Sequence, residues 1–284
     1  MRTIRRIHPA HSRPIGDLKT FCPLPSPNLR LLDPFLLLNH HGYQHYGPDN
    51  QGMPFGPHPH RGMETVTFII EGDIVHKDTG GHQSIIKAGG VQWMTAGSGL
   101  MHAELSSEEF KKEGGPLEIL QLWVNLPARL KMTSPSYKGL QKEEIPSTTV
   151  DEGKVQVKVV SGQFEKTSGA FDTLTPVSLA TIHMKTGGIF ATKVPTEHTI
   201  LCYIIRGSVQ VMGEVVGMRN LIEFSPDDEM VQLEATKDAV VLFGHAKPLG
   251  EPVVSGGPFV MNTQAEIHQA YEDFHNGKFG VWQD

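Results

Sequence analysis

Two short polar pairs in this chain have the residue types and spacing to bind a metal ion: His58-Pro59-His60 and His102-Ala103-Glu104, each with its side chains at i and i+2. In an extended chain, residues two apart point to the same face, so each pair can present both groups into one space. If the two strands face each other, three neutral imidazoles and a carboxylate converge. Such a nitrogen and oxygen set suits Fe(II), Mn, Co, Ni or Cu and is less typical of structural zinc, which prefers cysteine. A lone H-x-H in a stretch rich in Gly and Pro is more often a polar surface turn, and 15 histidines are spread along this chain. The second pair weighs against that reading, because it follows the apolar run VQWMT and a glycine-rich turn and carries a carboxylate at the same spacing.

The elements that must position these pairs read as strands. From Glu64 the sequence runs ETVTFIIEG, DIVHKDTGGHQSIIKAGG and VQWMTAG, rich in β-branched residues bounded by Gly and Asp, with DTGGH as a hairpin signal. Gly97-Ser98-Gly99 is no dinucleotide loop, since the third glycine of that fingerprint falls at His102 and no amphipathic helix follows. SSEEFKKEGGP is expected to be an exposed excursion, and LEILQLWVNLP returns as a strand. Ahead of the first pair, PFLLLN is a strand candidate. The following HHGYQHYGPDNQG reads as a loop, with His40, His41 and His45 as surface histidines near the mouth of the site.

The second half repeats the first in weaker form. Aligning FIIEG with YIIRG sets an offset of 135, and aligning WMTAGSGLMHAEL with EFSPDDEMVQLEA sets an offset of 130. The same fold is expected twice. Under these offsets His58 and His60 become Lys193 and Pro195, while His102 and Glu104 become Gln232 and Glu234. A site with a lysine and no imidazole should hold no divalent ion, so one metal per chain is expected. The tail carries a helix signal: Thr263 and Glu266 form a capping box, Gly277 is a stop, and Ile267, Ala270, Tyr271 and Phe274 share one face.

Composition narrows the classes further. The 284 residues are 38% apolar and 20% charged, which suits two domains, with the boundary placed at 135/136. A net charge of −6 gives no basic footprint for a phosphate backbone, so direct nucleic-acid binding is not expected. Cys22 and Cys202 are far apart and form no zinc or disulfide framework, which fits a reducing compartment. The basic N-terminus has no apolar run behind it, and no run is long enough to span a bilayer. A cytoplasmic monomer is expected, also nuclear in a nucleated cell.

PHPHRGMETVTFIIEG, VQWMTAGSGLMHAEL, LQLWVNLP and GPFVMNTQAEIHQAYEDF resemble signature stretches of the pirin family, double-domain members of the cupin superfamily. The resemblance covers both halves. It implies an all-β chain of two antiparallel jelly-roll β-barrels with a short C-terminal helix. The N-terminal domain (1–135) would bind metal, and the C-terminal domain (136–284) would carry the degenerate site and the helix. It implies His58, His60, His102 and Glu104 as ligands of one divalent ion, Fe(II) foremost, with Mn, Co, Ni, Cu or Zn as alternatives. In most cupins the ligand carboxylate comes from the first motif, which makes Glu64 a candidate near the ion. The activity implied is that of a quercetin (flavonol) 2,3-dioxygenase, with Glu104 as the base for the 3-hydroxyl proton. The alternative implied is an iron-dependent, redox-sensing co-regulator that meets a protein partner such as a transcription factor. Oxygen uptake with a flavonol separates the two.

Overall fold

The computed structural model describes residues 1–283 and divides the chain into two compact units. One comprises Ser12–Thr20, Phe35–Glu143 and Leu249–Asp284; the other comprises Met1–His11, Phe21–Pro34 and Glu144–Pro248. Both termini therefore depart from the expected halves, 1–135 and 136–284. In particular the C-terminal helix belongs to the unit that carries the histidine pairs. Long-range strand pairing decides this, and local composition carries no trace of it. No helix among the described residues is long and apolar enough to cross a membrane.

The histidine-bearing unit contains nine principal strands: β1 (Phe35–Tyr46), β2 (Phe55–His60), β3 (Met63–Glu71), β4 (Asp73–Asp78), β5 (Gln83–Lys87), β6 (Val91–Thr95), β7 (Leu100–Leu105), β8 (Gly115–Asn125) and β9 (Ser136–Leu140). One sheet runs β9-β6-β3-β8-β1 and a second runs β2-β7-β4-β5, with every pairing antiparallel. β3 and β6 are buried along both faces, and their β-branched and aromatic residues suit the pleated surface. Ile69, Ile74, Ile86, Leu117 and Ile119 form part of one apolar cluster of this unit.

Two expected loops are regular structure. The segment holding His40, His41 and His45 continues β1 through Tyr46. His40 pairs with Glu118 at 2.9 Å, buried His41 bonds Thr20 at 2.9 Å, and His45 alone of the three is exposed. The excursion after β7 contains a short helix, α1 (Glu108–Glu113), capped by Ser107. The tail helix, α2 (Gln264–His275), has the expected capping box between Thr263 and Glu266. Its buried face is Ile267, Ala270 and Asp273, while Tyr271 is 38% exposed. A carboxylate displaces the expected tyrosine because Arg61 reaches it, as described below.

In the other unit the sheet order is Asn220–Phe224, Thr199–Val211, Met230–Ala246, Val177–Met184, Val155–Ser161, Ser147–Val150, with Ile4–Pro9 on its outer edge. Ile189–Lys193 pairs with the first part of Met230–Ala246, with Val231 opposite Thr192 and Leu233 opposite Phe190. Val231, Leu233 and Phe190 lie in the core of this unit. Gln232 and Glu234 therefore point outward, opposite exposed Ala191 and Ile189, and Lys193 is exposed as well. This corrects the offset alignment. An even offset of 130 carries the inward residues His102 and Glu104 onto even-numbered partners, whereas the interior here takes the odd-numbered ones. In place of ligands the interior holds aliphatic and aromatic groups.

Candidate metal centre

β2 lies at the edge of its sheet and pairs with β7 so that His58 opposes His102 and His60 opposes Leu100. Directly opposed residues share a face, which puts three imidazoles on one side of the sheet. The register slips between His102 and Glu104, so that Glu104 stands opposite Phe55, three residues from His58. The extra residue is a bulge at Gly56-Pro57, and such bulges re-aim side chains. It turns the Gly56 carbonyl toward His58, whose Nδ1–H donates to it at 2.8 Å.

The rings stand 4.4 Å (His58 and His102), 4.9 Å (His58 and His60) and 4.9 Å (His60 and His102) apart, centroid to centroid. Each offers one ring nitrogen to a group in which all three lie within 4.8 Å of one another. The remaining nitrogens fix the tautomers. With Nδ1 of His58 on Gly56 and Nδ1 of His60 3.2 Å from the Pro258 carbonyl, Nε2 of each is left as the lone-pair atom. Nε2 of His60 and both nitrogens of His102 are buried without a hydrogen-bond partner. Burial, followed by the neighbouring His58, pushes His60 down to about 3. Burial, followed by His60 and His58, holds His102 well below the usual histidine range. Three converging imidazoles, two of them held neutral by burial and left with unpartnered nitrogens, suit a divalent cation, the species that would satisfy all three together. Only His58 is half-buried rather than buried, so the approach lies on its side.

Glu104 is 2% exposed and follows His102 on the same face of β7, yet its oxygens are not within the histidine group. Oε1 accepts from Thr67 Oγ1 at 3.0 Å and Gln92 Nε2 at 2.6 Å, and Oε2 accepts from Gln121 Nε2 at 2.5 Å. Thr67, Gln92 and Gln121 lie on β3, β6 and β8, so the first sheet supplies the donors and the second the acceptor. Gln92 and Gln121 are both register partners of Thr67, which places all three on one face.

Glu64 is on the opposite face of β3. Its register partners are Thr95 and Val124, odd steps away from Gln92 and Gln121, and Thr95 donates to it at 2.7 Å. Burial raises its pKa. It is thus turned away from the imidazoles, which removes it as a competing carboxylate.

The sequence reading missed several residues around the site. His76, on β4 opposite Glu104, is fully buried, stacks on Tyr137 at 3.8 Å, and shares a 2.9 Å hydrogen bond with Asp78. Trp123 packs edge-on against His60 at 5.1 Å. Arg61, next to His60, donates to the Ser98 carbonyl and pairs with Asp273 of α2 at 2.8 Å, both side chains being nearly fully buried. Gly62 adopts φ 83°, and a Cβ there would lie 2.0 Å from the Val260 carbonyl oxygen, so only glycine lets the tail come this close. Buried Lys131 ties the same corner, donating to Gly62 O, Asn125 Oδ1 and Val260 O. A signal existed for Gln92 and Gln121: each is an uncharged polar residue flanked on both sides by apolar ones, and buried amides need partners.

Two antiparallel β units in one chain, with a histidine centre in one and an apolar interior in the other, define a double-cupin protein. The Pirin family model matches residues 17–124, and the Pirin C-terminal cupin domain model matches residues 179–280. A Pseudomonas aeruginosa protein provisionally named quercetin 2,3-dioxygenase is 39% identical over 248 residues, 87% of each chain. A crystal structure of a quercetin 2,3-dioxygenase from Acinetobacter baumannii superposes with a TM-score of 0.92 at 36% identity, covering 99% of both chains. A bacterial pirin from Escherichia coli in complex with nickel(II) shares the fold (TM-score 0.68, 20% identity, covering 86% of this chain and 99% of that one). The chain belongs to the pirin family.

Proposed function

We propose that this protein is a metal-dependent flavonol 2,3-dioxygenase, with one divalent ion, Fe(II) foremost, held by His58, His60, His102 and Glu104. The observation that carries the reading is the convergence of three imidazoles, two of which, His60 and His102, have buried ring nitrogens with no hydrogen-bond partner. The names of its relatives support the substrate class, and the nickel complex of its fold neighbour supports a divalent ion. When bound, the ion would supply a Lewis-acid centre with positions open to substrate oxygen and to dioxygen.

This chain's own residues do the rest. Pro258 and Gly56 hold two imidazoles in the tautomer that turns Nε2 inward. Trp123 walls His60, and His76 and Tyr137 close the side beyond His102. Glu104 Oε2, with one donor on it, keeps one lone pair, which would hold the ion in the resting site and, once released from it, would accept the proton of the flavonol 3-hydroxyl. The buried surroundings keep bulk water from that proton. In the overall reaction both atoms of dioxygen enter the product, and C3 leaves with its oxygen as carbon monoxide.

Metal analysis of the purified protein, coupled to oxygen uptake and carbon monoxide release with quercetin, tests the proposal. One ion per chain and equal amounts of oxygen consumed and carbon monoxide released are expected, and both are lost in His60→Ala. A fully metallated protein that consumes no oxygen with any flavonol would defeat the dioxygenase reading and favour a binding role.

A further inference from the structure

Glu104 sits in a cradle whose consequences reach beyond holding it in place. A carboxylate has about four lone-pair sites, two on each oxygen. Thr67 and Gln92 occupy both sites of Oε1, and Gln121 occupies one of Oε2. One site remains, on Oε2. The two amides are themselves oriented: Gln92 Oε1 accepts from Tyr137 OH at 3.1 Å, and that hydroxyl also meets Ser84 Oγ. Gln121 Oε1 accepts from Trp123 Nε1 at 3.2 Å. Turning either amide over would break its outer bond and set a carbonyl against the carboxylate. Both NH2 groups are therefore committed to Glu104.

We infer that Gln92 and Gln121 are positioning residues that leave Glu104 a single free lone pair, on Oε2, and so restrict it to binding the metal ion through one oxygen. The chemical consequence is a count of open positions. On a six-coordinate ion, three imidazoles and one carboxylate oxygen leave two positions, whereas a chelating carboxylate would leave one. Two are needed if substrate oxygen and dioxygen are to be brought together. The inference rests on the metal reading proposed above, but not on the identity of the substrate, so failure to turn over quercetin would leave it standing.

The test uses the full chain loaded with Zn(II) for X-ray absorption and with Co(II) for visible absorption. In the native protein a single oxygen from a one-oxygen carboxylate is expected beside three imidazoles. In Thr67→Val/Gln92→Met, which frees Oε1, a second carboxylate oxygen should join the ion and the Co(II) bands should lose intensity as the coordination number rises. Tyr137→Phe keeps the amide but releases its orientation, and should move the spectrum the same way by less. Gln121→Met should lower Co(II) affinity about tenfold or more, the usual scale for groups that orient a ligand. A purely structural role for the amides would lower stability without moving the spectrum. A chelating carboxylate in the native protein, or none, overturns the inference whatever the variants do, as does a Thr67→Val/Gln92→Met spectrum identical to native. Absence of any metal uptake by the native protein overturns it together with the reading on which it rests.

Discussion

Glu104→Gln preserves the shape of the side chain and removes its charge, and the surroundings make that exchange costly. Three donors converge on the carboxylate: Thr67 and Gln92 on one oxygen and Gln121 on the other. An amide at this position must present its NH2 at one end or the other, where it meets the NH2 of Gln92 or of Gln121. Either choice replaces a hydrogen bond to a charged acceptor, worth about 1.5–3 kcal/mol, with a contact between donors. Gln121 can relieve the contact by turning over, at the loss of its neutral bond to Trp123 Nε1, worth about 1 kcal/mol. The metal-free variant should therefore be less stable than native by about 1–3 kcal/mol, read as a lower urea midpoint at unchanged slope. Three imidazoles remain, so much of the metal should be retained. Turnover of a flavonol should fall about 100-fold or more, the usual range for a missing general base. Higher pH should restore part of it, because the flavonol then arrives already deprotonated. An unchanged urea midpoint would refute the claim that the cradle recognises charge. Unchanged turnover in the fully metallated variant would remove Glu104 from the proton transfer, and Glu64, on the other face of β3, could not replace it.

Metal content should be one ion per chain by elemental analysis. His58→Ala or His60→Ala should weaken binding at least about tenfold, while Lys193 and Gln232 variants bind as native; a stoichiometry near two would contradict the apolar interior around Phe190, Val231 and Leu233. Asp273→Asn strips Arg61 of its buried partner and should lower Ni(II) affinity through the neighbouring His60, which titration calorimetry would detect; unchanged affinity would show that the tail does not orient the site. Burial pushes His41 down to about 3 and His245 to about 4, both below the unfolded value near 6.5. Their contributions to stability are intact above pH 6.5 and diminish as the pH falls below it, since the unfolded chain takes up the protons. By pH 5 each should have cost about 2 kcal/mol, measurable in urea titrations of metal-free protein at pH 7.5 and 5; equal stability at both would contradict the burial.

The histidine pairs could be read from sequence because strand periodicity of two is a local property: it fixes which neighbours share a face whatever the rest of the chain does. The capping box at Thr263 and Glu266 was legible for the same reason. What failed was whatever depends on pairing between distant strands. Glu64 has the same even-numbered parity as His60, yet the bend at Arg61-Gly62 separates the two strands and resets their faces. Lys193 and Gln232 were matched to the ligands by letters, while the observed register turns them outward. His40 and His41 looked like loop residues because polar side chains dominate there, yet Glu118 and Thr20 give each a buried partner. Gln92 and Gln121 come together only because both strands flank β3.

The tail from Leu249 onward is built into the histidine-bearing unit, with the Pro258 carbonyl on His60 and Asp273 on Arg61. During synthesis, therefore, His58, His60 and His102 leave the ribosome long before the residues that orient them. At about 5–20 residues per second, the interval between His102 and Pro258 is roughly 8–30 s. Throughout that time the nascent chain carries exposed histidines without their final geometry and is a poor competitor for cellular metal. A chain that lacks α2 has no Asp273 for Arg61, and its histidines should bind metal more weakly. The metal-binding reading therefore expects chains cut before Leu249 to be the metal-poor fraction.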